Sequence, residues 1–163
     1  MTQSEHVIDP LDLQQQATDQ KWMTLAMQLA QQAELKGEVP VGAVLVKDDV
    51  MIASGFNLSI LNHDPTAHAE IVAIRGAAKK IGNYRLDELT MVVTLEPCGM
   101  CAGAIAQSRI KRLVFGAFDK QAGAVGSIWD LLRDARTISK IEVISGVLDA
   151  ESSSILRDFF KNF

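Results

Sequence analysis

Apolar residues recur at Trp22, Leu25, Ala26, Leu29, Ala30 and Ala33, the three- and four-residue spacing that lines one face of an α-helix. The pattern predicts a helix capped by Thr18 or Asp19. Two short runs follow, Val41 to Val46 and Met51 to Phe56, joined by Lys47-Asp48-Asp49, and they read as a hairpin. A helix is expected from about Ala67 to Ile81, then a strand over Met91 to Leu95 that leads straight into a helix opening near Pro97. Leu113 to Ala117 is the next strand, Trp129, Leu131 and Leu132 suggest a short helix after Gly126-Ser127, and Ile141 to Ser145 is a fifth strand. Ile155, Leu156, Phe159, Phe160 and Phe163 form the apolar stripe of a last helix. Strands alternating with helices imply an α/β fold with a sheet covered on both faces. The initial hairpin makes that sheet mixed.

Composition narrows the class. Apolar residues are 48% of the 163 positions, ample for the core of one domain. No apolar run is long enough to cross a membrane as a helix. The polar, acidic N-terminus does not read as a secretory signal, so the cytoplasm is the expected compartment. The formal net charge is −4, and residues 1 to 20 hold Glu5, Asp9, Asp12 and Asp19 with no Lys or Arg. The rest of the chain is therefore formally neutral. With the run Gln14-Gln15-Gln16, this reads as a weakly ordered acidic extension over residues 1–18, followed by one domain over 19–163.

The chemistry sits in two motifs about thirty residues apart: His68-Ala69-Glu70, and Pro97-Cys98-Gly99-Met100-Cys101. They supply one imidazole, two thiols and a carboxylate. Zinc favours tetrahedral sites of nitrogen and sulfur; structural sites take four protein ligands, catalytic sites three plus water. Cys98 and Cys101 are the only two cysteines, so no site of three or four cysteines can form within the chain. A closed site of two cysteines and two histidines would need His63 beside His68 across an Asp-Pro turn. Ligand count thus favours an open site.

Spacing supports it. Cys98 and Cys101, three positions apart, share a helix face. Pro97 suits a helix opening, and thiols in the first turn gain from the helix dipole. His68 lies at a helix start too, where residues 68 and 70 can both reach a site lying off the end. Two helix ends facing one zinc is the inferred arrangement, with Glu70 beside it to carry protons. Other uses of Cys-x-x-Cys are a thioredoxin-like redox pair, which needs no upstream His-x-Glu, and half a zinc ribbon, for which no second pair exists. A disulfide framework fits poorly with two cysteines in a chain of this size.

His-x-Glu followed by Pro-Cys-x-x-Cys is the signature of zinc-dependent nucleobase deaminases. Beyond it, Glu38-Val39-Pro40-Val41-Gly42-Ala43-Val44, Asn57, His63 to Glu70, Asn83-Tyr84-Arg85-Leu86, Thr94 to Ala104, Ser108-Arg109-Ile110 and Val114 to Ala117 extend the likeness. From about residue 22 to 160 the chain resembles the bacterial tRNA-specific adenosine deaminases of the cytidine deaminase superfamily. The resemblance implies a three-layer α/β/α fold with a central mixed five-stranded sheet, one zinc per subunit, and a homodimer. It implies hydrolysis of adenosine to inosine at the first anticodon position of a tRNA, presented as an anticodon stem-loop. It assigns His68, Cys98 and Cys101 to zinc and Glu70 to proton transfer. It assigns Asn57 and the backbone N–H of Ala69 to the purine, and Val41 and Leu95 to the pocket wall. On residue type alone, Asn57 reads as a turn residue.

An unstacked loop base is the form in which such an enzyme can reach its target. Arg109, Lys111 and Arg112, with Lys79, Lys80 and Arg85, could meet phosphates or form an ordinary solvated surface. Phe159 and Phe160 could stack on bases or fill the core. Phe118 and the segment 133–139 depart from the relatives where RNA is expected. The rival reading is a deaminase of a free base or nucleotide, such as guanine or a cytosine nucleotide. A zinc-stabilised subunit without catalysis is a third, though such subunits typically lack the glutamate present here at position 70.

Overall fold

The computed structural model describes residues 9–162. Among them run helix α1 (Pro10–Leu35), strands β1 (Gly42–Lys47) and β2 (Val50–Phe56), helix α2 (Ala69–Ile81), strand β3 (Thr90–Leu95), helix α3 (Gly99–Gln107), strands β4 (Arg112–Ala117) and β5 (Glu142–Ile144), and helix α4 (Asp149–Phe160). The five strands form one sheet in the order β2-β1-β3-β4-β5. β1 is antiparallel to both β2 and β3, while β3, β4 and β5 are mutually parallel. The fold is thus the expected three-layer α/β/α arrangement on a mixed five-stranded sheet.

Period-two alternation sorts the side chains into two cores. Ala43, Leu45, Met91, Val93, Leu113 and Phe115 pack with Ala69, Ala73, Ala102 and Ile105 of α2 and α3. Val44, Val46, Val92 and Val114 face the other way, onto Trp22, Met23 and Ala26 of α1. The hairpin closes at Asp48 and Asp49, both at positive φ of 50° and 57°, the twist that a two-residue turn between antiparallel strands requires.

Two elements differ from the expected ones. The first helix begins at Pro10, capped by Asp9, whose carboxylate accepts the Leu11 N–H at 2.9 Å. Residues 10–18 are therefore helical and not part of a weakly ordered extension; residues 1–8, like Phe163, lie outside the described residues. Asp19 lies inside this helix and is not its cap. Its carboxylate accepts both Arg112 guanidinium nitrogens at 2.7 Å, with both side chains buried, and Arg112 also faces Glu142 at 3.4 Å. This fork-on-carboxylate pair fixes α1 to the start of β4. The second difference is at Trp129 to Leu132, which form turns and an isolated bridge between Val125 and Asp130 instead of a helix. Only Leu132 of that apolar group is buried; Trp129 and Leu131 face solvent.

Removing one partner of a buried pair leaves the other charge uncompensated. Asp19→Ala is therefore expected to lower unfolding free energy by about 3 kcal/mol, with residual relief for Arg112 from Glu142. Urea denaturation of the purified variant measures this, and its zinc content should match wild type.

Candidate metal centre

Strand direction brings the motifs together. β2 and β3 are both antiparallel to β1, so they point the same way. α2 follows β2 and α3 follows β3, and both helices start at the same edge of the sheet, beyond the strands' carboxyl ends. Gly55 allows α2 to lie close: a Cβ there would stand 2.6 Å from the Ala69 carbonyl oxygen. His68 is the N-cap of α2 and Cys98 the N-cap of α3, both in extended backbone, and neither side chain caps its own helix. Both are left free to face a common point.

His68 Nδ1 lies 3.6 Å from Cys98 Sγ and 3.5 Å from Cys101 Sγ. With Zn–S near 2.3 Å and Zn–N near 2.0 Å, a tetrahedral ion would separate nitrogen and sulfur by about 3.5 Å. The donor set therefore fits zinc without rearrangement. Among the described residues these three are the group that could hold a metal ion, and His63 is not part of it. His63 instead sits exposed in the preceding loop at φ 48°.

The electrostatics suit a cation. The Cys98 thiol is pushed down to about 4, first by the hydrogen bond with the Cys101 thiol, then by His68 and the Cys101 backbone N–H. The same sulfur contact, burial and the nearby Glu70 push Cys101 up. One thiolate and one thiol thus share a proton whose place a divalent cation can take. Glu70, in the first turn of α2, is 4% exposed. Burial pushes its carboxyl up to about 7, opposed by a backbone N–H and by His68. A carboxyl balanced near neutrality can both accept and return a proton.

Asn57 and Ala69 meet directly. The Ala69 N–H donates to Asn57 Oδ1 at 2.8 Å, and the Asn57 N–H donates to the Val41 carbonyl at 3.2 Å. The Ala69 N–H expected to reach a purine is thus engaged by Asn57, whose side-chain oxygen it fixes so that the amide NH2 is the end left over. Val41 is buried and Leu95 half-buried at the end of β3.

Two buried carboxylates had no role assigned by the sequence. Glu38 accepts the Ile60 and Leu61 N–H groups at 3.2 and 2.7 Å. Glu96 accepts the Asp119, Val125 and Ser127 N–H groups at 3.2, 3.0 and 3.1 Å, and the Ser127 hydroxyl as well. The available signal was a glutamate outside any helical pattern within two residues of a proline: Glu38 before Val39-Pro40, Glu96 between Leu95 and Pro97.

Residues 16–117 match the family described as the cytidine and deoxycytidylate deaminase zinc-binding region. A Haemophilus influenzae protein named tRNA-specific adenosine deaminase is 56% identical over 144 residues, 88% of this chain and 83% of its own length. The Bacillus subtilis protein of that name is 46% identical over 143 residues, 88% and 89% of the two chains. A solved structure from work on A-to-I editing by tRNA:A34 deaminases at the wobble position of transfer RNA superposes with a TM-score of 0.81 at 43% identity. It covers 83% of this chain and 99% of that one. The chain belongs to the tRNA-specific adenosine deaminase family.

Within this family member, the cations named from the sequence do not surround the metal centre. Lys79 and Lys80 are in the last turn of α2, and Arg109 lies just past the end of α3. Each is about 16–18 Å of helix rise from the first ligand at the other end of its helix. Arg112 is buried against Asp19, and Arg85 is paired with Asp87 at 3.1 Å. Phe159 is buried and Phe160 is 55% exposed. Phe118 is 47% exposed and edge-on to Phe115, with ring centroids 5.3 Å apart. In the segment 133–139, Arg133 pairs with Asp130 and Arg136 with Asp134. A separate cleft of about 570 Å³ runs under the start of α1; of its lining residues Asp49 pairs with Lys21, Lys47 with Glu88 and Arg112 with Asp19.

Cys101→Ala removes a ligand from the buried side of the group, and zinc bound after dialysis should fall well below one per chain by elemental analysis. Chelated protein offers a second test. A carboxyl whose folded value, about 7, exceeds its unfolded value, 4.5, favours folding below 4.5 and loses that contribution as pH rises through 7. Wild type should therefore lose stability relative to Glu70→Gln between those values, measured by urea unfolding of both chelated proteins at pH 5 and pH 8.

Proposed function

We propose that this protein hydrolyses adenosine to inosine at the wobble position of a tRNA, working on the anticodon loop. The observation that carries the reading is the three-donor group of His68, Cys98 and Cys101 with the buried Glu70 beside it, in a chain 56% identical to a tRNA-specific adenosine deaminase. In the reaction a C–O bond forms and a C–N bond breaks at carbon 6 of the purine, consuming water and releasing ammonia.

His68, Cys98 and Cys101 would hold zinc, which when bound supplies Lewis acidity that brings the ionisation of water toward neutral pH. Glu70 takes the proton of the attacking water, delivers it to the purine ring, and serves the departing amine in the same way. Its burial supports this, because the pocket removes bulk water as a competing proton acceptor. Asn57, oriented by Ala69 N–H, offers its amide NH2 as a donor to the purine. Val41 and Leu95 supply apolar wall. An unstacked loop nucleotide fits this demand, since it reaches a buried carboxylate without the cost of opening a duplex.

Assembly as a homodimer is part of the reading. Ile60, Leu61, Met100, Ile128, Trp129 and Leu131 are 38–64% exposed on the loops and helix start nearest the ligands, more apolar surface than a solvated rim needs. A cytoplasmic location follows from a tRNA substrate, and no described helix is long and apolar enough to cross a membrane.

The deciding experiment is deamination of anticodon stem-loops carrying adenosine at the first anticodon position, with nucleoside mass spectrometry as readout. Guanine and cytosine nucleotides are assayed in parallel. Inosine at that position is expected from wild type, and Glu70→Ala should keep zinc while losing at least about 10³-fold in kcat, within the usual range for a removed acid–base group. Turnover of a free base or nucleotide without inosine formation would keep the zinc chemistry and replace the substrate.

A further inference from the structure

Glu38 and Glu96 are 2% and 1% exposed, and among the described residues neither takes part in an ion pair. An unpaired buried carboxylate is costly unless several N–H or O–H groups solvate it. Here every such donor comes from a loop. Glu38 holds residues 60 and 61, in the loop that runs on to His68. Glu96 holds residues 119, 125 and 127, in the loop that lies against Cys98. That second loop is tied to the ligand segment directly: Ala124 N–H donates to the Pro97 carbonyl at 2.9 Å, and Gly123 forms a bridge with Cys98. Gly123 is needed for the approach, since a Cβ there would stand 2.3 Å from Glu96 Oε2.

We propose that Glu38 and Glu96 are a pair of positioning residues that hold the two loops flanking the metal centre, on its His68 side and its Cys98 side, in the shape that receives the RNA loop. The proposal rests on the RNA-substrate reading above. Neither carboxylate touches the reacting atoms. Each keeps a loop from relaxing, so the RNA meets walls already in place and does not have to order them on binding.

The test uses zinc-loaded Glu96→Gln, Glu38→Gln and Ser127→Ala. Glutamine keeps the volume, but turns an NH2 group toward amide donors. Glu96→Gln should speed hydrogen exchange at the Asp119, Val125 and Ser127 amides by at least about tenfold, as expected for lost bonds to a charged acceptor, with Ile60 and Leu61 unchanged. Glu38→Gln should show the reverse pattern. On the stem-loop substrate, each should raise KM by about tenfold while kcat falls less than about threefold. Ser127→Ala removes a single hydroxyl from a half-buried loop position and cannot be expected to unfold the chain. It should raise KM by about threefold at unchanged zinc content. Uniform exchange across both loops, or loss of kcat at unchanged KM, would overturn the proposal. If wild type leaves the stem-loop unmodified, the substrate reading falls, and the reciprocal exchange pattern still decides whether the clamps exist.

Discussion

The structure depends on the convergence of two helix N-termini at one edge of the sheet. His68 and Cys98 are both N-caps that do not cap, and Cys101 follows in the first turn of α3. Orphan N–H groups and helix dipoles at both ends favour negative charge on the donors placed there, and so favour thiolate over thiol. There the Cys98 and Cys101 sulfurs both come within 3.6 Å of the His68 imidazole nitrogen. Because β2 and β3 run in the same direction on either side of β1, no long excursion of the chain is needed to bring the two ends together.

The same convergence buries charge. Glu70, Glu38 and Glu96 are all nearly inaccessible, and their burial is accommodated in two different ways. Glu70 is left with its proton loosely held, which is what acid–base work requires. Glu38 and Glu96 are solvated by backbone N–H groups of surrounding loops, an arrangement that orders those loops without introducing a competing cation beside the metal centre. Asp19 has a third solution, a guanidinium partner, and it lies at the opposite end of the sheet, where it anchors α1. Stability and chemistry are thereby separated in space.

Family membership and geometry bear on different questions. The donor set and buried carboxylate suit a zinc-dependent hydrolytic centre whatever the substrate. The likeness to tRNA-specific adenosine deaminases, carried over 88% of the chain, points that centre at RNA. Of the basic residues considered for phosphate contact, Lys79, Lys80 and Arg109 are at the far ends of α2 and α3, and Arg85 and Arg112 are already paired.

Local chemistry was legible in the sequence because its signals are short-range. Ligand type and count come from His68, Cys98 and Cys101; strand and helix periods come from neighbours a few residues apart; even the hairpin around Lys47-Asp48-Asp49 is a local signal, which the structure tightens to a two-residue turn at Asp48-Asp49. What needed tertiary structure was every partnership across long separation. Nothing near Asp19 says that it binds Arg112, 93 positions away, and local pattern offers Thr18 or Asp19 as a cap, nine or ten residues after the true cap at Asp9. Trp129 and Leu131 looked helical because apolar spacing cannot report that Glu96 and Pro97 hold the adjoining loop in turns. The meeting of Asn57 with Ala69, twelve positions apart, was likewise invisible, since it exists only where the end of β2 faces the start of α2. The sequence alone determined the donor atoms and the reaction they suit. Only the fold decided which N–H groups, loops and buried charges stand around them, because those contacts are set by strand direction and packing and not by neighbouring residues.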